Sequence, residues 1–285
     1  MKNEPYPNLS LFVADFLSWN PKGERHTMEH PFFSLSKKKK DIHPRHYESP
    51  DGKAQLTVTP TVLGLPTIWD KDLLIYTATL IREAMNKGIL GSENKAIRID
   101  TANFMEATVK GDGTQQRKGM MDTLQRLKGC TIETTIETNG TSYTEGFSLL
   151  DSYKIAVKTK TGKVAALEIK VCDWLYGAIW NDTQEMLSIN REYFKLEGGI
   201  ERRLYELARK HCGRQPFWKV GMETLWEKSG STAELKKFRH MIFKGQTDLG
   251  SLPDYRVQLK PELDQVWFFS KHHKEPIQAI IDTNI

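Results

Sequence analysis

Cysteine is scarce in this chain, and long apolar runs are missing altogether. Cys130, Cys172 and Cys212 are the only thiols among 285 residues. They form no CxxC pair and no Cys/His ligand spacing, which argues against a disulfide framework and against a zinc site. The expectation is three reduced thiols in a cytoplasmic protein. No apolar stretch approaches the ~18 residues that cross a bilayer. The richest, Leu9 to Trp19, is broken by Asp15 and lacks a basic leader, so it does not read as a secretory signal. A GxxxxGK[ST] phosphate loop is absent, which leaves a P-loop ATPase unsupported. Rolling-circle nicking enzymes need two metal-binding histidines flanking one bulky residue, plus a nucleophilic tyrosine. The nearest features are His43, His46 and Tyr47, with Pro44 intervening, and the adjacent pair His272-His273. Neither has the required spacing, and the scattered carboxylates form no recognisable catalytic pair. The sequence predicts no catalytic residue, no metal and no cofactor.

What is present describes a folded binding protein. Hydrophobic residues make up 39% and charged residues 27%, and the seven tryptophans exclude a disordered chain. The net charge of +5 is unevenly spread. Residues 1–50 carry 8 basic and 6 acidic side chains, 51–187 carry 16 and 17, and 188–285 carry 17 and 13. With DNA as partner, the C-terminal third should dominate the phosphate contacts.

Residues 1–50 read as a flexible N-terminal arm. They hold Pro5, Pro7, Pro21, Pro31, Pro44 and Pro50 and the run Lys37–Lys40, without sustained periodicity. A first folded unit spans 51–187. Thr67 and Asp70 have capping-box-like spacing, and Trp69, Leu73, Tyr76 and Leu80 follow as a helical stripe that Gly88 ends. A short strand over Ala96–Ile99 leads to a helix capped by Asp100 or Thr101. After the Gly111-Asp112-Gly113 turn comes a third helix over 114–128, with Met120, Met121, Leu124 and Leu127 as its stripe. Ile132, Thr134 and Ile136 then alternate with Glu133, Thr135 and Glu137 before the hairpin signal Asn139-Gly140. Helix, strand, helix, helix and hairpin in that order describe a winged helix-turn-helix. A further hairpin around Thr161-Gly162 and a short helix near Trp174 close this unit.

The second unit, 188–285, repeats the order. A helix with Ile200, Leu204, Leu207 and Ala208 on one face ends at Gly213. A strand over 217–220, a helix over 222–228 and the turn Ser229-Gly230-Ser231 follow. Thr232 is expected to cap a helix running through Lys244. Tyr255, Val257 and Leu259 alternate with Arg256, Gln258 and Lys260 before a bend and a returning strand. The fold class is α+β: two tandem winged-helix domains behind an arm.

Around the last helix, Leu235, Phe238, Met241 and Ile242 fall on one side and Lys236, Lys237, Arg239, His240 and Lys244 on the other. That basic face suits the major groove, where Lys and Arg reach guanine edges or flanking phosphates. Arg256 and Lys260 on the wing would bracket the duplex backbone. The matching helix of the first unit offers Gln115, Lys118 and Arg126, with Asp122 misplaced against phosphate. Its expected wing is acidic, with Glu133, Glu137 and Glu145, so the first unit reads as a secondary DNA contact that doubles as a self-association surface.

The segments HPFFSLSKKK (His30–Lys39), WDKDLLIY (Trp69–Tyr76) and IERRLYELARKHCG (Ile200–Gly213) resemble the plasmid replication initiator protein A family of bacteria. The resemblance runs over nearly the whole chain. It implies an initiator that binds repeated origin sites (iterons) in double-stranded DNA, opens the origin and recruits host replication proteins such as the replicative helicase. It also implies dimers on the protein's own operator, with autorepression, and monomers on iterons. The alternative is a tandem winged-helix transcriptional repressor without a replication role. Direct repeats beside an AT-rich region would mark the initiator, and a lone inverted repeat at a promoter the repressor. In the arm, Asn8-Leu9-Ser10-Leu11-Phe12 is similar to the sliding-clamp-binding pentapeptide QL(S/D)LF, with Asn8 one methylene shorter than glutamine. Leu9, Leu11 and Phe12 would enter the clamp's apolar pocket. The competing reading packs them with Phe16 and Trp19 onto the first domain.

Overall fold

The computed structural model of the chain describes residues 21–37, 40–48, 52, 54–88, 95–108, 114–138, 141–157, 164–181, 186–213, 215–245, 247–250 and 252–273. It opens with β1 (Lys22–Glu24), α1 (Arg25–Glu29), β2 (Arg45–Glu48) and β3 (Ala54–Thr59). Then come α2 (Lys71–Asn86), β4 (Ala96–Ile99), α3 (Thr101–Ala107), α4 (Thr114–Gly129), β5 (Thr131–Thr138) and β6 (Thr141–Phe147). The hairpin β7 (Leu150–Val157) and β8 (Val164–Val171), the helix α5 (Asp173–Asn181) and β9 (Met186–Ser188) follow. The last part holds α6 (Gly199–Cys212), β10 (Phe217–Gly221), α7 (Met222–Ser229), α8 (Leu235–Phe243), β11 (Tyr255–Lys260) and β12 (Gln265–Ser270). The architecture is α+β.

Local chemistry sets several of these boundaries. The Asp100 carboxylate accepts from the Ala102 and Asn103 amides at 2.8 and 3.1 Å, which makes it the N-cap of α3. Helix α2 stops where Gly88 takes φ 66°, a left-handed conformation that costs glycine little. Burial of α2 exceeds its expected stripe. Every residue from Lys71 to Ile81 is buried, so α2 is a central helix wrapped on all sides.

Two three-stranded sheets share one plan. In the first, β4 pairs antiparallel with β8, which pairs with β7. In the second, β10 pairs with β12, which pairs with β11. Each sheet is preceded by the same helices: α2 before β4 and α3, α4 after it; α6 before β10 and α7, α8 after it. The strand that adds to β4 differs from the one the sequence suggests. The β5–β6 hairpin, expected as the first wing, belongs to a separate four-stranded sheet, β2-β3-β5-β6. The β7–β8 hairpin around Thr161-Gly162 takes its place, although that turn lies outside the described residues. Alternation identified both hairpins, but neither alternation nor turn chemistry says which one pairs with a strand some 70 residues earlier.

The expected arm over 1–50 is also corrected. Strand β1 pairs with β9, with Lys22 opposite Ser188. Strand β2 pairs with β3, and Met28, Phe32 and Phe33 are buried. One continuous apolar cluster runs from Met28 through both units to Phe268, so the expected boundaries at 50/51 and 187/188 do not separate cores.

A buried polar seam joins α2 to α6. Arg202 donates from Nη1 to Asp72 Oδ1 at 2.6 Å and from Nε to the Leu196 carbonyl at 2.7 Å. Lys71 Nζ lies 2.9 Å from Glu206 Oε1, which also accepts from the Tyr193 hydroxyl at 2.8 Å. Burial pushes the Lys71 pKa down, opposed by the Glu206 carboxylate. Arg203 donates to the carbonyls of Met28 and Glu29 at 2.8 Å each and to that of Lys228 at 2.7 Å. The strap after α1 crosses the same seam. Lys37 lies over the Trp69 ring at 4.3 Å, and a Cβ on Gly199 would sit 2.3 Å from the Leu35 carbonyl oxygen. The three segments that carry the family resemblance therefore meet at this junction.

Candidate nucleic-acid interface

The turn between α7 and α8 is assembled from its own hydroxyls. Gly230 takes φ 67°, Ser229 Oγ accepts from the Ser231 amide at 3.1 Å, and Ser231 Oγ accepts from the Ala233 amide at 3.3 Å. Trp226 Nε1 donates to the Ala233 carbonyl at 2.7 Å. These bonds hold residues 231–233 in the turn, so α8 starts at Leu235 with Glu234 at its N-cap position. Thr232 is not the cap.

Helix α8 sorts as its spacing predicts. Phe238 and Ile242 are fully buried, with Leu235 and Met241 half-buried beside them. Lys236, Lys237 and His240 are exposed on the helix, and Lys244 is exposed at its C-cap. Arg239 is different. It makes a two-pronged contact with Asp264, Nε to Oδ1 at 2.7 Å and Nη2 to Oδ2 at 2.8 Å. The guanidinium holds the Asp264 carboxyl below the usual carboxylate range. Asp264 occupies the β11–β12 turn at φ 51°, and its carbonyl accepts from the Met222 amide at 2.9 Å. Arg239 therefore fixes the β11–β12 turn against α8 and the start of α7. Two of its five N–H donors are engaged by that carboxylate.

On the β11–β12 hairpin, Arg256, Gln258 and Lys260 share the face of β11 opposite Val257 and Leu259. Arg256 is exposed. Lys260 is half-buried, its ammonium 5.3 Å from the centre of the Trp267 ring, and Lys219 on β10 lies 5.8 Å from the same ring. Lys219 is exposed and was not foreseen from sequence. Its signal was cross-strand pairing with Trp267.

In the first unit, α4 buries Met120, Leu124 and Leu127 and exposes Lys118. Gln115 lies on the first turn of α4, and its side chain is outside the described residues. Arg126, expected to read a base, faces inward. It grips Asp70 through Nε and Nη2 at 2.7 and 2.8 Å, while Thr123 Oγ1 and the Thr67 amide donate to the same carboxylate at 2.6 and 2.7 Å. Arg126 docks α4 onto the start of α2. Leu9, Leu11 and Phe12 lie outside the described residues. Among the described residues no group of His, Cys, Asp and Glu could hold a metal ion, and no helix is long and apolar enough to cross a membrane.

Comparison with known proteins bears on the fold and the family. A crystal structure of the second and third domains of RctB superposes with a TM-score of 0.62 at 12% identity, covering 87% of this chain and 99% of that one. A second RctB structure, domains 2-3, gives 0.59 at 11% identity over 84% and 95%. At such identities the likeness is one of fold. A protein of Wigglesworthia glossinidia brevipalpis named "Putative replication protein" is 36% identical over 262 residues, 90% of this chain and 92% of that protein. The model of the replication initiator protein A family matches residues 22–257, and the chain belongs to that family.

Proposed function

We propose that this protein initiates replication by binding double-stranded origin DNA through two winged-helix units, acting by recognition and not by catalysis. The observation that carries the reading is the exposed basic face of α8, Lys236, Lys237 and His240, set beside a wing turn that Arg239 and Asp264 lock in place. A helix so presented enters the major groove while the wing meets the backbone. The helix–strand–helix–helix–hairpin order, repeated with the same strand order in both units, supports the winged-helix assignment. In the first unit, Lys118 and Gln115 of α4 make the corresponding contact. The sequence joining β7 to β8 contains Lys158, Lys160 and Lys163, which suits a phosphate contact better than the acidic β5–β6 hairpin does. That hairpin, with Glu133 and Glu145 exposed, is left for contact with a second copy. Clamp binding through Leu9, Leu11 and Phe12 and helicase recruitment belong to the same proposal and are supported by the sequence resemblance.

The test is binding to a duplex carrying the repeated origin sites and to a scrambled duplex, each at two salt concentrations. Replacing Lys236 or Lys237 by alanine should cost about 1–3 kcal/mol on the origin duplex where the side chain reads a base. A phosphate contact should weaken both duplexes alike and flatten the salt slope by about one unit. Unchanged binding by the Lys236→Ala/Lys237→Ala variant would remove α8 from the interface.

A further inference from the structure

Three cations converge where β1, α2 and α6 meet, away from the residues assigned above. Lys22 of β1 donates its backbone amide to Thr79 Oγ1 of α2 at 2.9 Å and its ammonium to Ser188 Oγ at 2.6 Å. Arg209 of α6 donates Nε to the carbonyl of the same Ser188 at 2.6 Å. Arg82, one turn beyond Thr79 on α2, donates Nη1 to the Ile179 carbonyl at 2.8 Å. All three side chains are half-buried. Among the described residues none is paired with a carboxylate. Carbonyl and hydroxyl oxygens hold them in place, and no carboxylate among the described residues compensates their charge. Burial pushes the Lys22 pKa down, and Arg209 and Arg82 push it further the same way, so the Lys22 ammonium feels both guanidiniums. Beside Arg209 opens a cavity of about 290 Å³ that Ser188, Asn190, Asp254, Tyr255 and His272 also line. The Asp254 carboxylate there is already shared among Asn190 Nδ2, the Tyr205 hydroxyl and His272 Nε2 at 2.6, 2.9 and 3.0 Å.

We propose that Lys22, Arg82 and Arg209 form a binding site for a phosphate group at the junction of the two units. Partly desolvated like charges repel each other and are stabilised by an anion that accepts from several of them at once. A guanidinium has five N–H donors, so one bond to a carbonyl positions it without exhausting it. The source favoured here is a backbone phosphate of bound DNA, a choice that rests on the proposed function. Free phosphate shares the chemistry and is the other source.

The experiment uses the full chain, inorganic phosphate and the origin duplex. Phosphate at constant ionic strength should raise the melting temperature of the wild-type chain, and Lys22→Gln/Arg82→Gln should abolish the rise. With DNA as the source, the same variant lowers the slope of log K against log salt by about two units. With free phosphate as the source, the melting shift is lost and the slope stays as in the wild type. A variant that matches the wild type in both measurements overturns the site. If the glutamine variant does not fold, Lys22→Arg/Arg82→Lys must retain the phosphate shift, and its loss overturns the site. Failure of the wild-type chain to bind the origin duplex would overturn the proposed function, and the phosphate melt would then decide the site by itself.

Discussion

Arg126 and Lys118 lie on one helix, two turns apart, in opposite surroundings. Lys118 is exposed on α4, whereas Arg126 is 17% exposed and bound through two nitrogens to a carboxylate that is 3% exposed. The distinguishing feature was Asp70, 56 positions earlier, which no helical projection of α4 contains. Replacing Arg126 by alanine leaves Asp70, among the described residues, with Thr123 and the Thr67 amide as donors. The loss of a charge-assisted bond to a buried carboxylate should cost about 1.5–3 kcal/mol. Lys118→Ala should leave stability within about 0.5 kcal/mol of the wild type. Denaturant unfolding of both variants checks the pair. Equal stability of Arg126→Ala and wild type would return Arg126 to the DNA-facing set. Arg239 makes the same point more mildly. Its partner Asp264 is close in space but 25 positions away, and the contact pins the β11–β12 turn to α8.

At the scale of elements, periodicity made most of the helices and strands legible and said little about partners. The stripes of α2, α4, α6 and α8 were visible, as were the alternations of β5 and β11, because each depends on residues within a few positions of one another. Strand pairing depends on chain brought back from far away. The β4–β8 pairing and the insertion of β5–β6 into the sheet of β2 and β3 left no local signature. The N-terminal strap was hidden for a related reason. Its proline content suggested an arm, yet Met28, Phe32 and Phe33 bury their side chains against elements of both units. A consequence concerns α6, which packs on α1 and whose Arg203 is satisfied by carbonyls of residues 28 and 29. A fragment beginning at residue 188 lacks β1 and all of β9 except Ser188, and it leaves the buried guanidinium of Arg203 without the Met28 and Glu29 carbonyls. We expect residues 188–285 alone to melt without a cooperative transition, while the chain beginning at residue 21 melts cooperatively. Circular dichroism melts of the two decide it. A cooperative fragment would show that the second unit folds without the strap.

The whole molecule then follows from the seam between α2 and α6. Arg202–Asp72 and Lys71–Glu206 place charges at 3% exposure or less on both sides, and each pair depends on both units for its partner. Separating the units would strand these charges, and removing one member of a buried pair typically costs about 3–5 kcal/mol. The apolar cluster adds to that cost because it runs unbroken across the seam. The two helices proposed to meet DNA, α4 and α8, are therefore held at one fixed distance and rotation. On B-DNA, inserting about 5 base pairs between the stretches they contact turns one through half a helical turn, and about 10 restores the face but moves it by roughly 34 Å. A chain with a pliable linker would tolerate the longer insertion, since only the face needs to match. A rigid one would tolerate neither. We expect both insertions to lower the affinity of the full chain to the level of a duplex carrying only the stretch bound by α8. Gel-shift titrations on the natural, +5 and +10 duplexes at one salt concentration supply the measurement. Recovery of natural affinity on the +10 duplex would show that the seam opens on DNA and that the two buried ion pairs do not fix the spacing.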